Sequence, residues 1–345
     1  MAIDAANLKF GLDTFGDMTV DDAGKPESAG QVIRNIVAQA VHADQLGLHA
    51  INIGEHHRDD FAVSAPDTVL AGIATVTNNI LLGTGVTVLS SEDPVRVYQR
   101  FATIAGLSNG RAEITAGRGS FTESFPLFGY DLSAYNILFE EKLELLVQLL
   151  TEGPITWQGQ TRASLTNQEV YPKTESGIGL RVGVGGSPES VIRAARLNVP
   201  MALAIIGGDP ARFAPFAKLY RDALEQLERP ALPVSIHSPG HIAATDEQAA
   251  EELWPHYEKF VTRLGQERGW PPMSKARFVG EIEYGSLYVG SPETVAAKIV
   301  HAIESVGAER FDLKYANGSV PQSKLLTSIE LYATKVVPLV REMLS

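Results

Sequence analysis

The sequence predicts an α/β chain of 345 residues folded as one domain, residues 1–345, in a single (β/α)8 TIM barrel. Three observations lead there. Eight short apolar runs alternate with longer stretches of helical periodicity. Most of those runs are nearly unbroken, as parallel strands covered on both faces should be. No break in composition demands a second domain, and barrels of this type reach such lengths as one unit. An open doubly wound sheet is the competing arrangement.

In chain order the expected strands are "KFGLDT" (9–14), "AINIGE" (50–55), "ILLGTGV" (80–86), "AEITAG" (112–117), "LRVGVG" (180–185), "MALAII" (201–206), "PVSIHS" (233–238) and "RFDLKY" (310–315). Between them, "GQVIRNIVAQAVHADQLG" carries apolar residues on one helical face and stops at Gly47. "PVRVYQRFATIAGL" opens with Asp93 as N-cap and Pro94 at the first helical position, and it stops at Asn109-Gly110. "NILFEEKLELLVQLL" repeats apolar residues at 139, 143, 146 and 150. Two stretches exceed a minimal barrel. Residues 155–179 read as a polar hairpin or extended insertion. Residues 268–288 are long and punctuated by Pro and Gly, a length that marks functional or mobile loops.

Composition excludes several classes. The net charge of −12 argues against nucleic acid and anionic membrane as main partners, since both need a basic face. With no cysteine there are no disulfides, no thiolate catalysis and no Cys-ligated metal. The opening "MAIDAANLKFGLDTF" lacks a basic segment followed by a long apolar run, and no apolar run is long enough for a membrane span. The expectation is a soluble cytoplasmic protein.

In such barrels the chemistry sits at the C-terminal ends of the strands. "INIGEHHRDDF" (51–61) places two histidines at the end of the second strand. Successive strand residues point to opposite faces, so His56 and His57 should not both face the centre. That spacing counts against a two-histidine metal site, and no metal is expected. The third strand, "LLGTGVTVLSSEDPVRV", is interrupted by Gly83 and Gly85, which marks either a structural bulge or a ligand lying against the backbone. The fourth ends in "TAGRGSF", where Gly117 and Gly119 flank Arg118. An arginine so placed suits phosphate or carboxylate, or else a salt bridge across the barrel mouth. The fifth ends in "GVGGSPES". Ser187-Pro188-Glu189 is a good helix start, and such an N-terminus is also an anion site. "GSPET" recurs at 290–294, where an ordinary cap suffices.

Taken together these pieces resemble the bacterial luciferase-like flavin-dependent monooxygenases over nearly the whole chain. The resemblance rests on "EHH", "LLGTGVTVLSSEDPVRV", "LSNGRAEITAGRGSFTESFPLFGYD", "VGVGGSPESVIRAARLNVPMALAI" and "YVGSPETVAAKIVHAIESVGAERF", in that order and spacing. It implies a barrel that binds reduced FMN, which reacts with O2 to a flavin hydroperoxide that oxidises a small organic substrate. By the same resemblance Arg118 holds the FMN phosphate, with Ser187, Ser190 and the amide of Gly186. Thr84, Gly85 and Val86 lie under the isoalloxazine ring, with a non-proline cis peptide at Gly85–Val86. Gly117, also placed at the cofactor, stands where luciferase has a reactive cysteine, so light emission gains no support. His56 matches the catalytic histidine, facing the flavin as acid/base or hydrogen-bond partner, and His57 faces outward. Residues 268–288 fall where luciferase has a mobile loop, whose task is to keep water from the flavin.

Some members of the family use a deazaflavin coenzyme and transfer hydride without O2. Its anionic tail wants basic residues beyond Arg118, and no basic cluster lies near the motifs, so FMN is favoured. A non-catalytic flavin-binding protein is a further alternative, as is a metal-dependent barrel hydrolase. Nothing in the chain reads as a nicotinamide-binding domain, so a separate flavin reductase is expected to supply reduced FMN. The family expectation for assembly is a homodimer.

Overall fold

The alternating apolar and helical segments fold into a closed ring of strands. The computed structural model describes residues 3–119 and 121–345. The ring comprises β1 (Lys9–Thr14), β2 (Ala50–Ile53), β3 (Leu81–Thr84), β4 (Ala112–Gly117), β5 (Gly179–Val184), β6 (Met201–Ala204), β7 (Val234–Ile242) and β8 (Arg310–Lys314). Each strand pairs in parallel with the next, and β8 pairs with β1 in the register Lys9 to Arg310, which closes the barrel. Helices lie between the strands, so the (β/α)8 expectation holds and the open sheet does not. Among the described residues no helix is long and apolar enough to cross a membrane.

The helix stops were legible in the local chemistry. Asp93 caps Pro94–Ser108 by accepting from the amides of Val95 and Arg96, and Asn109 ends that helix in the left-handed region. The helix Tyr135–Leu149 buries Phe139, Leu143 and Leu146. The insertion at 155–179 is a hairpin of Ile155–Trp157 and Leu165–Gln168. Glu141 ties it to the helix below by accepting from the amides of Gln160 and Thr161, at 2.9 Å each.

The segment 268–288 corrects the expectation of a long loop. After the helix Asp246–Arg268 the chain makes a short turn and forms a second helix, Lys275–Glu283, capped by Ser274. Phe278 pins that helix, fully buried against Trp254 and Tyr257. Pro271 and Pro272 break the sequence pattern and so hid a segment that packing holds in place.

Strand alternation gives the barrel two unlike faces. Leu12, Ile51, Ile53, Ile114, Val182, Ile236 and Phe311 face the helices and are buried. The inward face is charged. Arg181 and Arg310 meet Glu113 and Asp312 inside the ring: Arg310 Nη1 lies 2.7 Å from Glu113 Oε1, Arg310 Nε 2.8 Å from Asp312 Oδ1, and Arg181 Nη1 3.1 Å from Asp312 Oδ2. Asn52 Oδ1 accepts from both arginines. Gly11 and Gly83 leave the room for this layer, because a Cβ would fall 2.1 Å from Asp312 Oδ1 at the first and 2.4 Å from Asn52 Oδ1 at the second. Burial pushes the Glu113 and Asp312 carboxyls up, but the two arginines more than offset it and hold both below their usual range.

Breaking such a buried set costs more than the set contributes, because the leftover charges stay desolvated. Arg310→Met should therefore lower unfolding stability by about 3–5 kcal/mol. Urea denaturation followed by circular dichroism checks this, and a loss under about 1 kcal/mol would show that the layer is solvated rather than buried.

Candidate active site

At the C-terminal ends of the strands the inward face changes character. Above the ionic layer come Asp13 on β1, His56 beyond β2, Gly85 beyond β3, Gly117 on β4, Gly183 on β5 and His237 on β7. Phe15, Gly85, Val86, Gly183 and His237 are only partly buried there, which opens the mouth of the barrel.

His56 and His57 separate as alternation requires. The chain leaves the β2 ladder after Ile53, and the His56 amide bonds the carbonyl of Val63. The His56 ring turns inward, packed 4.6 Å from Phe15, 4.2 Å from Phe61 and 5.1 Å from Phe121. Its Nδ1 is buried and has no hydrogen-bond partner among the described residues. The His57 ring lies outside, 5.1 Å from Phe128, with Nε2 3.0 Å from Glu55 Oε1. The other Glu55 oxygen accepts from the Val88 amide, so this carboxylate ties the β2 end to the strand Thr87–Val88, and burial pushes its carboxyl up.

The Gly85–Val86 peptide is cis, as the resemblance implies. A Cβ on Gly117 would fall 2.5 Å from Val86 Cγ2, and one on Gly183 3.2 Å from Val86 Cγ1. The two glycines thus make room for the Val86 side chain at the mouth. Thr84 is fully buried, and its hydroxyl meets Thr87, 2.9 Å away, and the Thr115 backbone, so it clasps β3 to β4.

The fourth and fifth strand ends converge. Arg118 donates to Ser190 Oγ at 3.3 Å and to Asn136 Oδ1 at 3.2 Å, and its guanidinium lies 5.3 Å over the Tyr135 ring. No carboxylate pairs with it among the described residues. Ser187 caps the helix Pro188–Leu197, and its hydroxyl donates to Ser190 Oγ at 2.9 Å. Gly186 has a φ of 102°, in the range that favours glycine. Arg193, which sequence reasoning passed over, also reaches Ser190 Oγ at 3.4 Å, one turn along the same helix. Its side chain is paired with Glu140.

Asp13 and His237 were missed as well. Asp13 Oδ2 lies 3.2 Å from His237 Nδ1, across the intervening strand β8, and only barrel closure brings the two together. Among the described residues no three His, Asp or Glu side chains are grouped to hold a metal ion.

The family model described as luciferase-like monooxygenase matches residues 14–310. The protein y4vJ of Sinorhizobium fredii is 31% identical over 138 residues, 40% of this chain and 39% of that protein, so the match spans about two-fifths of that relative. The 4-hydroxyprotoasukamycin monooxygenase of Streptomyces nodosus subsp. asukaensis is 24% identical over 86% of this chain and 83% of its own length. Among solved structures, the monooxygenase RslO1 of Streptomyces bottropensis superposes with a TM-score of 0.83 at 22% identity, over 96% of this chain and 99% of that one. The oxygenating constituent of 3,6-diketocamphane monooxygenase of Pseudomonas putida, in complex with FMN, gives 0.78 at 18%, over 96% and 98%. The coenzyme F420-dependent tetrahydromethanopterin reductase of Methanopyrus kandleri gives 0.72 at 18%, over 96% and 99%. At these identities the likenesses establish the fold.

Burial, then the charges of Lys314, Arg58 and His57, push the His56 imidazole down from 6.5 to about 3. It is therefore neutral at pH 7. The unfolded chain takes up this proton first as pH falls, so the stability due to neutral His56 is present above pH 6.5 and is lost toward pH 3. His56→Gln should make the acid limb shallower by up to about 1.4 kcal/mol per pH unit. Urea midpoints at pH 7, 6 and 5 measure it, and an unchanged slope would mean that His56 titrates normally in the folded protein.

Proposed function

The chain belongs to the luciferase-like monooxygenase family, and on that premise we propose that it is a flavin-dependent monooxygenase taking reduced FMN and O2. Its substrate is a small organic molecule. The observation that carries the cofactor reading is internal to the chain. The turn Gly290-Ser291-Pro292-Glu293-Thr294 repeats the turn Gly186-Ser187-Pro188-Glu189-Ser190. In the later copy a carboxylate fills the turn: Asp246 Oδ1 accepts from the Ser291 amide at 2.7 Å and Oδ2 from Thr294 Oγ1 at 2.9 Å. This turn therefore seats an anion. In the earlier copy no carboxylate enters among the described residues, and Arg118 approaches instead, with neutral partners there. A helix N-terminus, two hydroxyls and an unneutralised guanidinium suit a phosphate from outside the chain.

The residues present fit FMN. Arg118, Ser187, Ser190 and the Gly186 amide would hold its phosphate, and Gly85 and Val86 would bear its ring. Bound reduced FMN supplies the two electrons that activate O2. The chain supplies the surroundings. Phe15, Phe61 and Phe121 line the inner wall with aromatic surface that excludes water. His56, neutral and unpartnered at Nδ1, offers one hydrogen bond without bringing a charge. Reduced flavin comes from a separate reductase.

A deazaflavin coenzyme fits less well. The basic residues next to Arg118 are already neutralised, Arg193 by Glu140 and Arg196 by Glu140 and Glu144. Little spare positive charge remains for an oligoanionic tail. Absorbance after reconstitution separates the two, because the deazaflavin absorbs at shorter wavelength.

Charge-assisted hydrogen bonds contribute about 1.5–3 kcal/mol, so Arg118→Ala should weaken FMN binding by roughly 10- to 150-fold. Riboflavin, which has no phosphate, should be affected far less. Titration of both flavins by fluorescence quenching is the test, and equal losses would remove Arg118 from the phosphate site.

A further inference from the structure

We infer that His237, oriented by Asp13, is the residue that delivers the proton consumed when reduced flavin is reoxidised at this site. The inference rests on the FMN reading above and assigns the proton step to the pair opposite His56.

Asp13 is buried on β1, one oxygen 3.2 Å from His237 Nδ1 and the other without a hydrogen-bond partner among the described residues. The carboxylate lies against Gly85, where a Cβ would fall 2.0 Å from Oδ2. It therefore sits at the edge of the surface proposed to bear the ring. The His237 ring stacks on Phe15, 5.8 Å away and 10° from parallel, and Phe15 in turn packs on His56. A carboxylate at this distance favours a proton on Nδ1 and leaves Nε2 for another partner. His237 Nε2 has no protein partner among the described residues, and its side chain keeps 15% exposure, a path for exchange with solvent. Among the described residues His56 has no orienting carboxylate, and it is more deeply buried. It is enclosed by Phe15, Phe61 and Phe121.

The surroundings of His237 are few. Asp13 is in contact. Asp312, its register partner on β8, is engaged by Arg181 and Arg310. Lys314 lies 4.5 Å from the Phe15 ring and is paired with Asp17. On β6 the register partner is Ala204, and the buried Tyr315 hydroxyl bonds Gln39.

The balance requires one proton from the protein. Anionic reduced FMN, one O2 and one proton give oxidised FMN and H2O2 when no substrate is present. With an oxygen acceptor they give the oxygenated product and water. Two electrons leave the flavin in either case. The proton goes from His237 Nε2–H to the departing oxygen, and the imidazole is recharged from solvent while Asp13 balances its charge.

The test has two arms. In the first, long-range proton–nitrogen NMR of flavin-free protein labelled at histidine reads the tautomer, His237 being assigned by its absence in His237→Gln. For the neutral ring we expect the Nδ1–H form in the wild type and a shift toward Nε2–H in Asp13→Asn. An Nε2–H wild type overturns the pairing. In the second, bound reduced FMN is mixed with O2 across pH in a stopped-flow instrument, and flavin binding is measured separately. His237→Gln should lose the pH inflection and slow the proton-dependent phase by about 10²-fold or more, while His56→Gln keeps the inflection. Normal FMN binding with an unchanged profile in His237→Gln overturns this role alone. Failure of the wild type to bind FMN overturns the cofactor reading and this role with it.

Discussion

Everything above the middle of the barrel depends on the ionic layer inside it. Arg181, Arg310, Glu113 and Asp312 fill the lower ring with paired charge, and Asn52 bridges the two arginines. Two consequences follow. The inner face of the strands must be small where the layer is bulky, hence Gly11 and Gly83. The layer also fills the ring below the mouth, while the partly buried positions lie at the C-terminal ends. Replacing such a layer with apolar side chains is compatible with stability in principle. Here the charges also fix which way β5 and β8 face, because a one-residue slip would put Arg181 or Arg310 among the helices.

The mouth is then divided by chemistry rather than by sequence. On the side of β4 and β5 a positive, hydroxyl-lined turn faces outward. On the side of β2 an aromatic enclosure keeps His56 neutral. On the side of β1 and β7 a carboxylate and an imidazole meet. Val86 stands between these regions, held by the space at Gly117 and Gly183. The likeness of the turns at 186–190 and 290–294 matters because Asp246 fills the later one and, among the described residues, no carboxylate fills the earlier.

Local rules made much of this legible. Strand alternation separated His56 from His57, cap residues located the helix starts at Pro94 and Pro188, and the glycines around Arg118 marked a strand end with a task. Apolar runs located all eight strands, although β7 runs on to Ile242, where Tyr288–Gly290 adds a parallel neighbour. What stayed hidden depends on closure. Arg181 is a single charge within an apolar run, Arg310 alternates with Asp312 and Lys314, and nothing local says that the two arginines meet. Asp13 and His237 lie on strands that are not adjacent. Arg193 was readable in retrospect, three residues after Ser190 on one helix face. The helix Lys275–Glu283 was obscured by two prolines and is fixed by Phe278.

The claim that organises this account is that the turn at Gly186–Ser190, with Arg118 above it, receives the phosphate of a flavin whose ring rests on Val86. A crystal structure of the protein with FMN addresses it most directly. The account expects the phosphate within hydrogen-bond distance of the Arg118 guanidinium and of the Ser187 and Ser190 hydroxyls, with the ring against Gly85 and Val86. A phosphate bound elsewhere, or a ring lying away from Val86 with the turn empty, would contradict it.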